Sequence, residues 1–114
     1  MTRTAGQDAE RRAAQWLESQ GLTLVHANYR CRFGEIDLVM RDGEALVFVE
    51  VRMRSREGFG GAAASIDWRK REKLVRAARH YLSRLPRVPA CRFDAVLIDG
   101  EGRPQWIRSA FDAQ

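Results

Sequence analysis

Two apolar segments, Phe33 to Met40 and Ala45 to Met53, are separated by the tetrapeptide RDGE. Both are rich in β-branched and aromatic residues, so they predict adjacent strands joined by a tight turn. Acids interrupt both: Asp37 stands among Ile36, Leu38, Val39 and Met40, and Glu50 between Val49 and Val51. Strand side chains alternate, so Glu35, Asp37 and Val39 share one face, and Leu46, Phe48, Glu50 and Arg52 share one face of the next strand. A two-residue loop at Asp42-Gly43 would set Asp37 opposite Phe48, and one at Gly43-Glu44 would set it opposite Glu50. In either register the acids fall on one face, directly across or diagonally adjacent. A three-residue loop breaks that parity unless a bulge restores it.

The remaining punctuation yields the order α-β-β-β-α-β-β. From Gly6 to Gln20 the positions Ala9, Ala13, Ala14, Trp16 and Leu17 recur at helical spacing, and Gly21 is a stop. Leu22 to Tyr29 reads as the strand before the hairpin. Arg54 to Ser65, rich in Gly and Ala, reads as a loop. Ser65 is the expected N-cap, with Asp67 in the first turn, of a second helix running to about Leu85, where Pro86 and Pro89 end it. CRFDAVLID is a fourth strand, and PQWIRSAF a short fifth at an edge. Two helices on a mixed sheet of four to five strands make a layered α/β domain. Strands three and four, joined across a helix, permit a parallel pairing by right-handed crossover.

One domain is expected over residues 1–114, with 1–5 and 112–114 as loose ends. Hydrophobic residues are 45% and charged residues 31%, a balance that excludes a disordered or membrane class. No run reaches the roughly 20 apolar residues of a membrane span, and the N-terminus lacks the apolar core of a signal peptide. A cytoplasmic location is expected. Cys31 and Cys91 show no metal spacing and read as reduced thiols. The net charge of +5 favours an anionic partner, nucleic acid above all. The 18 arginines against 2 lysines indicate a chain-wide drift of Lys toward Arg.

Two carboxylates converging from adjacent buried strands repel, and a cation must stand near them. Arg52, two residues beyond Glu50 on the same face, is one candidate, and a divalent metal ion is another. A self-satisfied ion-pair network of Asp37, Glu50 and Arg52 is the alternative. The helices add two further charges at inward positions. Glu10 has Ala13, Ala14 and Leu17 as its i+3, i+4 and i+7 neighbours; Lys70 lies between Ile66 and Leu74, in line with Ala77 and Tyr81. Singly, Glu10 suits a helix N-terminus and Lys70 can snorkel to solvent.

Glu10 on the first helix, Asp37 in GEIDLV, Glu50-Val51-Arg52 in FVEVR and Lys70 on the next helix resemble the signature of the PD-(D/E)XK nuclease superfamily. More closely, nearly the whole chain, roughly Gly6 to Phe111, resembles the small YraN-like proteins, related to Holliday junction resolvases. The resemblance implies a restriction-endonuclease-like three-layer core and a Mg²⁺-dependent (or Mn²⁺-dependent) nuclease acting on branched or structured DNA. Asp37 and Glu50 would hold the metal, with Glu10 contributing directly or through water. The position of Arg52 usually carries a lysine that orients water or stabilises the phosphorane, and Lys70 would contact phosphate or water. Two departures stand out: Ile36 replaces a proline, and Arg52 replaces the lysine. A guanidinium stays protonated and cannot act as a base, though it can clamp a phosphate oxygen. A homodimer is an expectation of the same resemblance.

Arg30, Arg32, Arg54, Arg56 and Lys73 are candidate phosphate contacts, and Phe59 in its glycine-rich setting is a candidate flap residue. Arg69, Arg71, Arg76 and Arg79 read mainly as the solvated face of the second helix, and Trp16, Trp68 and Trp106 as packing residues. The rival to a nuclease is a catalytically weak nucleic-acid-binding module on the same scaffold. A third reading gives the basic surface an acidic protein partner.

Overall fold

A computed structural model describes residues 5–53 and 67–112. The elements run α1 (Ala5–Ser19), β1 (Thr23–Cys31), β2 (Gly34–Asp42), β3 (Ala45–Met53), α2 (Trp68–Ser83), β4 (Cys91–Ile98) and β5 (Pro104–Phe111). This is the expected order. The five strands lie side by side in sequence order, all antiparallel to their neighbours except β3 and β4, which pair in parallel across α2.

The helices cover opposite faces of the sheet because alternate strand residues feed separate cores. Val39, Leu46, Phe48, Phe93 and Ala95 pack beneath Leu74, Ala77 and Ala78 of α2. Leu38, Met40, Val47, Val49 and Val96 pack against Ala9, Ala13, Ala14 and Leu17 of α1. Three layers result, helix, sheet and helix. No helix among the described residues is long and apolar enough to cross a membrane.

The hairpin turn resolves the register. Asp42 pairs with Ala45, leaving Gly43 and Glu44 as a two-residue loop, and Gly43 supplies the positive φ of 60° at its first position. Asp37 is therefore set across from Glu50. The β2–β3 ladder, however, stops at Leu38 and Val49, one residue short of that pair. At the next rung the Asp37 carboxylate replaces main chain, accepting the Val51 amide at 2.9 Å. The strands part where the acids stand.

Helix α2 starts later than expected. Its N-cap is Asp67, whose side chain accepts the Lys70 amide at 2.9 Å; Ser65, the expected cap, lies outside the described residues. The helix stops at Ser83, two residues before the expected Leu85 and three before Pro86. At the other end of the chain Ala5, expected to be loose, already belongs to α1.

Candidate active site

A cleft of about 440 Å³ opens where β2 and β3 part, roofed by the first turns of α2 and lined by Gly34, Asp37, Glu50, Lys70 and Lys73 among others. Gly34 at the head of β2 has a φ of 147°, a backbone that L side chains rarely adopt, and a Cβ there would touch that of Lys73 at 3.5 Å. The contact itself would be an ordinary one, so it is the backbone conformation at the strand entrance that calls for glycine.

Asp37 and Glu50 are both buried, with their carboxyl groups close enough for each charge to oppose the other. Burial, then the Glu50 charge, pushes Asp37 up to about 7, against the pull of the Val51 amide. Glu10 reaches Asp37 from α1 and is itself pushed up to about 7, by burial first and by the Asp37 and Glu35 carboxylates next. The three acids form a row linked pairwise, with Asp37 at its centre. They do not converge on one point: among the described residues no group of three His, Cys, Asp or Glu is placed to hold a metal ion.

Lys70, rather than Arg52, is the close cation. Its Nζ lies 2.8 Å from Glu50 Oε1, whereas Arg52 Nε stands 3.4 Å from the same oxygen. That Nε is buried and meets no hydrogen-bond geometry, so its tie to Glu50 is Coulombic only. Arg52 is on the expected face, but it adds little to the anchoring of Glu50. The self-satisfied network therefore runs through Lys70, and it leaves Asp37 without a cation at hydrogen-bond distance among the described residues.

Of the nucleic-acid candidates, Lys73 lines the cleft and is exposed. Arg30 pairs with Glu35 at 3.4 Å and lies near enough to Glu10 to oppose the rise of its pKa. Arg32 places its guanidinium 4.8 Å over the Phe33 ring. Arg54, Arg56 and Phe59 lie outside the described residues. Arg69, expected mainly on the solvated face of the helix, also lines the cleft. Its signal was the i, i+4 spacing to Lys73 on one side of a helix whose inward stripe runs through Lys70.

A second charged cluster escaped the sequence reading. Asp94 on β4 is 0% exposed. It accepts Arg92 Nε at 3.1 Å on each oxygen, Trp106 Nε1 at 2.9 Å and the Ser109 amide at 2.9 Å. Arg92 continues to Asp42 at 2.9 Å. Asp94 lies on the α1 side of the sheet, away from the cleft, and every bond it makes is structural. Arg92 and Asp94, two apart on one strand face, were the readable signal.

The profile of the uncharacterised protein family UPF0102 matches residues 9–98, which contain every element from Ala9 of α1 to the end of β4. The chain belongs to the UPF0102 family. Among its relatives, a UPF0102 protein of Nitrosospira multiformis is 62% identical over 96% of this chain and 94% of its own length. One from Nitrosomonas eutropha is 59% identical over 97% and 96% of the two chains. A third, from Dechloromonas aromatica, is 57% identical over 98% and 92%. UPF0102 membership accords with the YraN-like resemblance and names no reaction, so the chemistry must be argued from the cleft.

Proposed function

We propose that the cleft is the active site of a metal-dependent nuclease that hydrolyses phosphodiester bonds in branched or otherwise structured DNA. The observation that carries this reading is the Asp37–Glu50 pair, two buried carboxylates held in contact where a strand ladder has been opened to admit them. Such a pair is costly unless a cation joins it, and paired oxygen donors suit a hard divalent ion. Mg²⁺ characteristically uses one or two carboxylates and completes its shell with waters and substrate phosphate. The pairwise row of acids fits that demand without a third direct ligand. Asp37 and Glu50 would hold the ion, and Glu10, whose carboxyl group stands next to that of Asp37, would orient it. When bound, the metal would lower the pKa of the attacking water and offset charge on the phosphate.

The chain's own residues supply the rest. Asp37 and Glu10, both near 7, can hold or release a proton at working pH. Lys70 fixes Glu50 and presents its ammonium to the cleft, where it can meet a phosphate oxygen. Arg52 cannot accept a proton, which leaves it charge stabilisation alone. Lys73 and Arg69 line the cleft and favour an anionic substrate.

One observation favours the second reading, a nucleic-acid-binding module without turnover: the Lys70 ammonium, 2.8 Å from Glu50 Oε1, is itself a counter-charge for that carboxylate. Incubation of the full chain with junction, flap, single-stranded and duplex DNA under Mg²⁺ or Mn²⁺ separates the two. The nuclease reading expects cleavage that Asp37→Ala abolishes while binding persists. A folded protein that binds these DNAs and cuts none would leave the binding module standing.

A further inference from the structure

Trp68 is the one tryptophan that the fold leaves in water. Trp16 and Trp106 pack edge to face, with ring centroids 6.0 Å apart, and are half-buried, as expected of packing residues. Trp68, expected to pack likewise, is 67% exposed at the first position of α2. Its place explains why that exposure matters. Asp67 and Arg69, its chain neighbours, line the acidic cleft, whereas Trp68 itself lines a second groove of about 760 Å³ with Arg71, Arg76, Arg79 and Phe111. The indole is the ridge between the two.

Both sides of that ridge are set for a polyanion. On the cleft side Arg69 and Lys73 make no ion pair with a described residue, and the Arg69 guanidinium lies 5.6 Å from the Trp68 ring centre. On the far side the groove is lined by three arginines and two acids, Glu72 and Asp112, a net positive wall, with Arg76 paired to Glu72 at 2.7 Å and the Arg71 guanidinium 5.5 Å from the Phe111 ring centre. A strand leaving the cleft toward the second groove crosses the indole with cations before and after it. Between successive phosphates the strand carries a base, and a base can lie on an aromatic face only when it is unpaired.

We propose that Trp68 is a stacking platform for an unpaired base, so that the cleft takes nucleic acid with single-stranded character beside the scissile phosphate rather than continuous duplex. The inference rests on the reading of the cleft as a nucleic-acid site and specifies its substrate. It is tested by binding alone. The full chain in EDTA is titrated with fluorescein-labelled oligothymidylate and with a blunt duplex, comparing the unaltered protein with Trp68→Ala and Trp68→Phe. Trp68→Ala is expected to weaken oligothymidylate binding about tenfold and duplex binding less than about twofold, with Trp68→Phe close to unaltered. Quenching of tryptophan emission by oligothymidylate should fall sharply in Trp68→Phe, whose remaining indoles are the packed pair. An equal loss on both ligands, or none, overturns the platform and leaves the cleft as a nucleic-acid site. Failure of the unaltered protein to bind either ligand removes both. A blue shift of Trp68 emission that grows with protein concentration, without nucleic acid, would assign the ridge to a protein contact and also overturn the proposal.

Discussion

Asp37 touches main chain on one side and two carboxyl groups on the other, and that position ties stability to pH. Unfolded, it titrates near 3.8; folded, near 7. Between those values the folded chain keeps a proton that the unfolded chain has released. Stability from this group is therefore full below the unfolded value and is lost as pH rises through 7. Glu10 shifts in the same direction. Asp37→Asn keeps an acceptor for the Val51 amide but ends the repulsion. It is expected to raise the melting temperature at about pH 8 by roughly 5 °C, to change it little at about pH 4, and to cut cleavage at least ~10²-fold. Thermal melts of the two proteins at both pH values check the first part. The face shared by Asp37, Glu50 and Arg52 was legible because strands alternate with a period of two. That Lys70 would outcompete Arg52 for Glu50 was not, because the distance from a helix to a strand depends on packing that the local sequence does not encode.

Among the elements, β5 pairs with β4 on both sides of a bulge, and one buried side chain holds the bulge itself. The β4–β5 register shifts between Phe93 and Ala95, opposite Ser109 with its φ of 49°. Asp94 takes the Ser109 amide and the Trp106 indole there. A bulge leaves backbone groups unpaired, and a fully buried carboxylate is an exacting remedy that also requires Arg92. Asp94→Ala removes the acceptor of all these donors and is expected to cost about 3 kcal/mol, measured by denaturant unfolding. Cleft residues should keep their relative effects on DNA binding in that background. The strand itself was readable in CRFDAVLID. Its internal ion pair was signalled only by Arg92 and Asp94 standing two apart on one strand face, and the burial that joins them depends on which face of the sheet α1 covers. Similarly, the helix start moved from Ser65 to Asp67: both residues can cap, and local preference alone does not choose between them.

For the molecule as a whole, the cleft is lined by β2, β3 and α2, with Glu10 of α1 behind Asp37, so a bound cation would tie the two strands together and touch α1 only through that carboxylate. Metal binding must displace protons from groups near 7, and its effect should therefore grow with pH. MgCl₂ is expected to raise the melting temperature by several degrees at about pH 8 and by much less at about pH 5.5, with Asp37→Asn and Glu50→Gln abolishing the gain. The three-layer order was legible throughout, since each helix shows one apolar stripe and the strands keep their alternation. The exposure of Trp68 was not, because an indole beside a helix start reads the same whether its ring faces core or solvent.

The hydrogen bond from the Val51 amide to Asp37 gives the site its own reporter. A backbone proton that points at a carboxylate feels whether that carboxylate is charged, protonated or claimed by a cation. Val51 follows Glu50 on β3, and its own side chain takes no part in the row of acids. Its amide resonance, followed through pH and metal titrations by NMR, would read the state of the centre from inside the sheet without disturbing a single side chain.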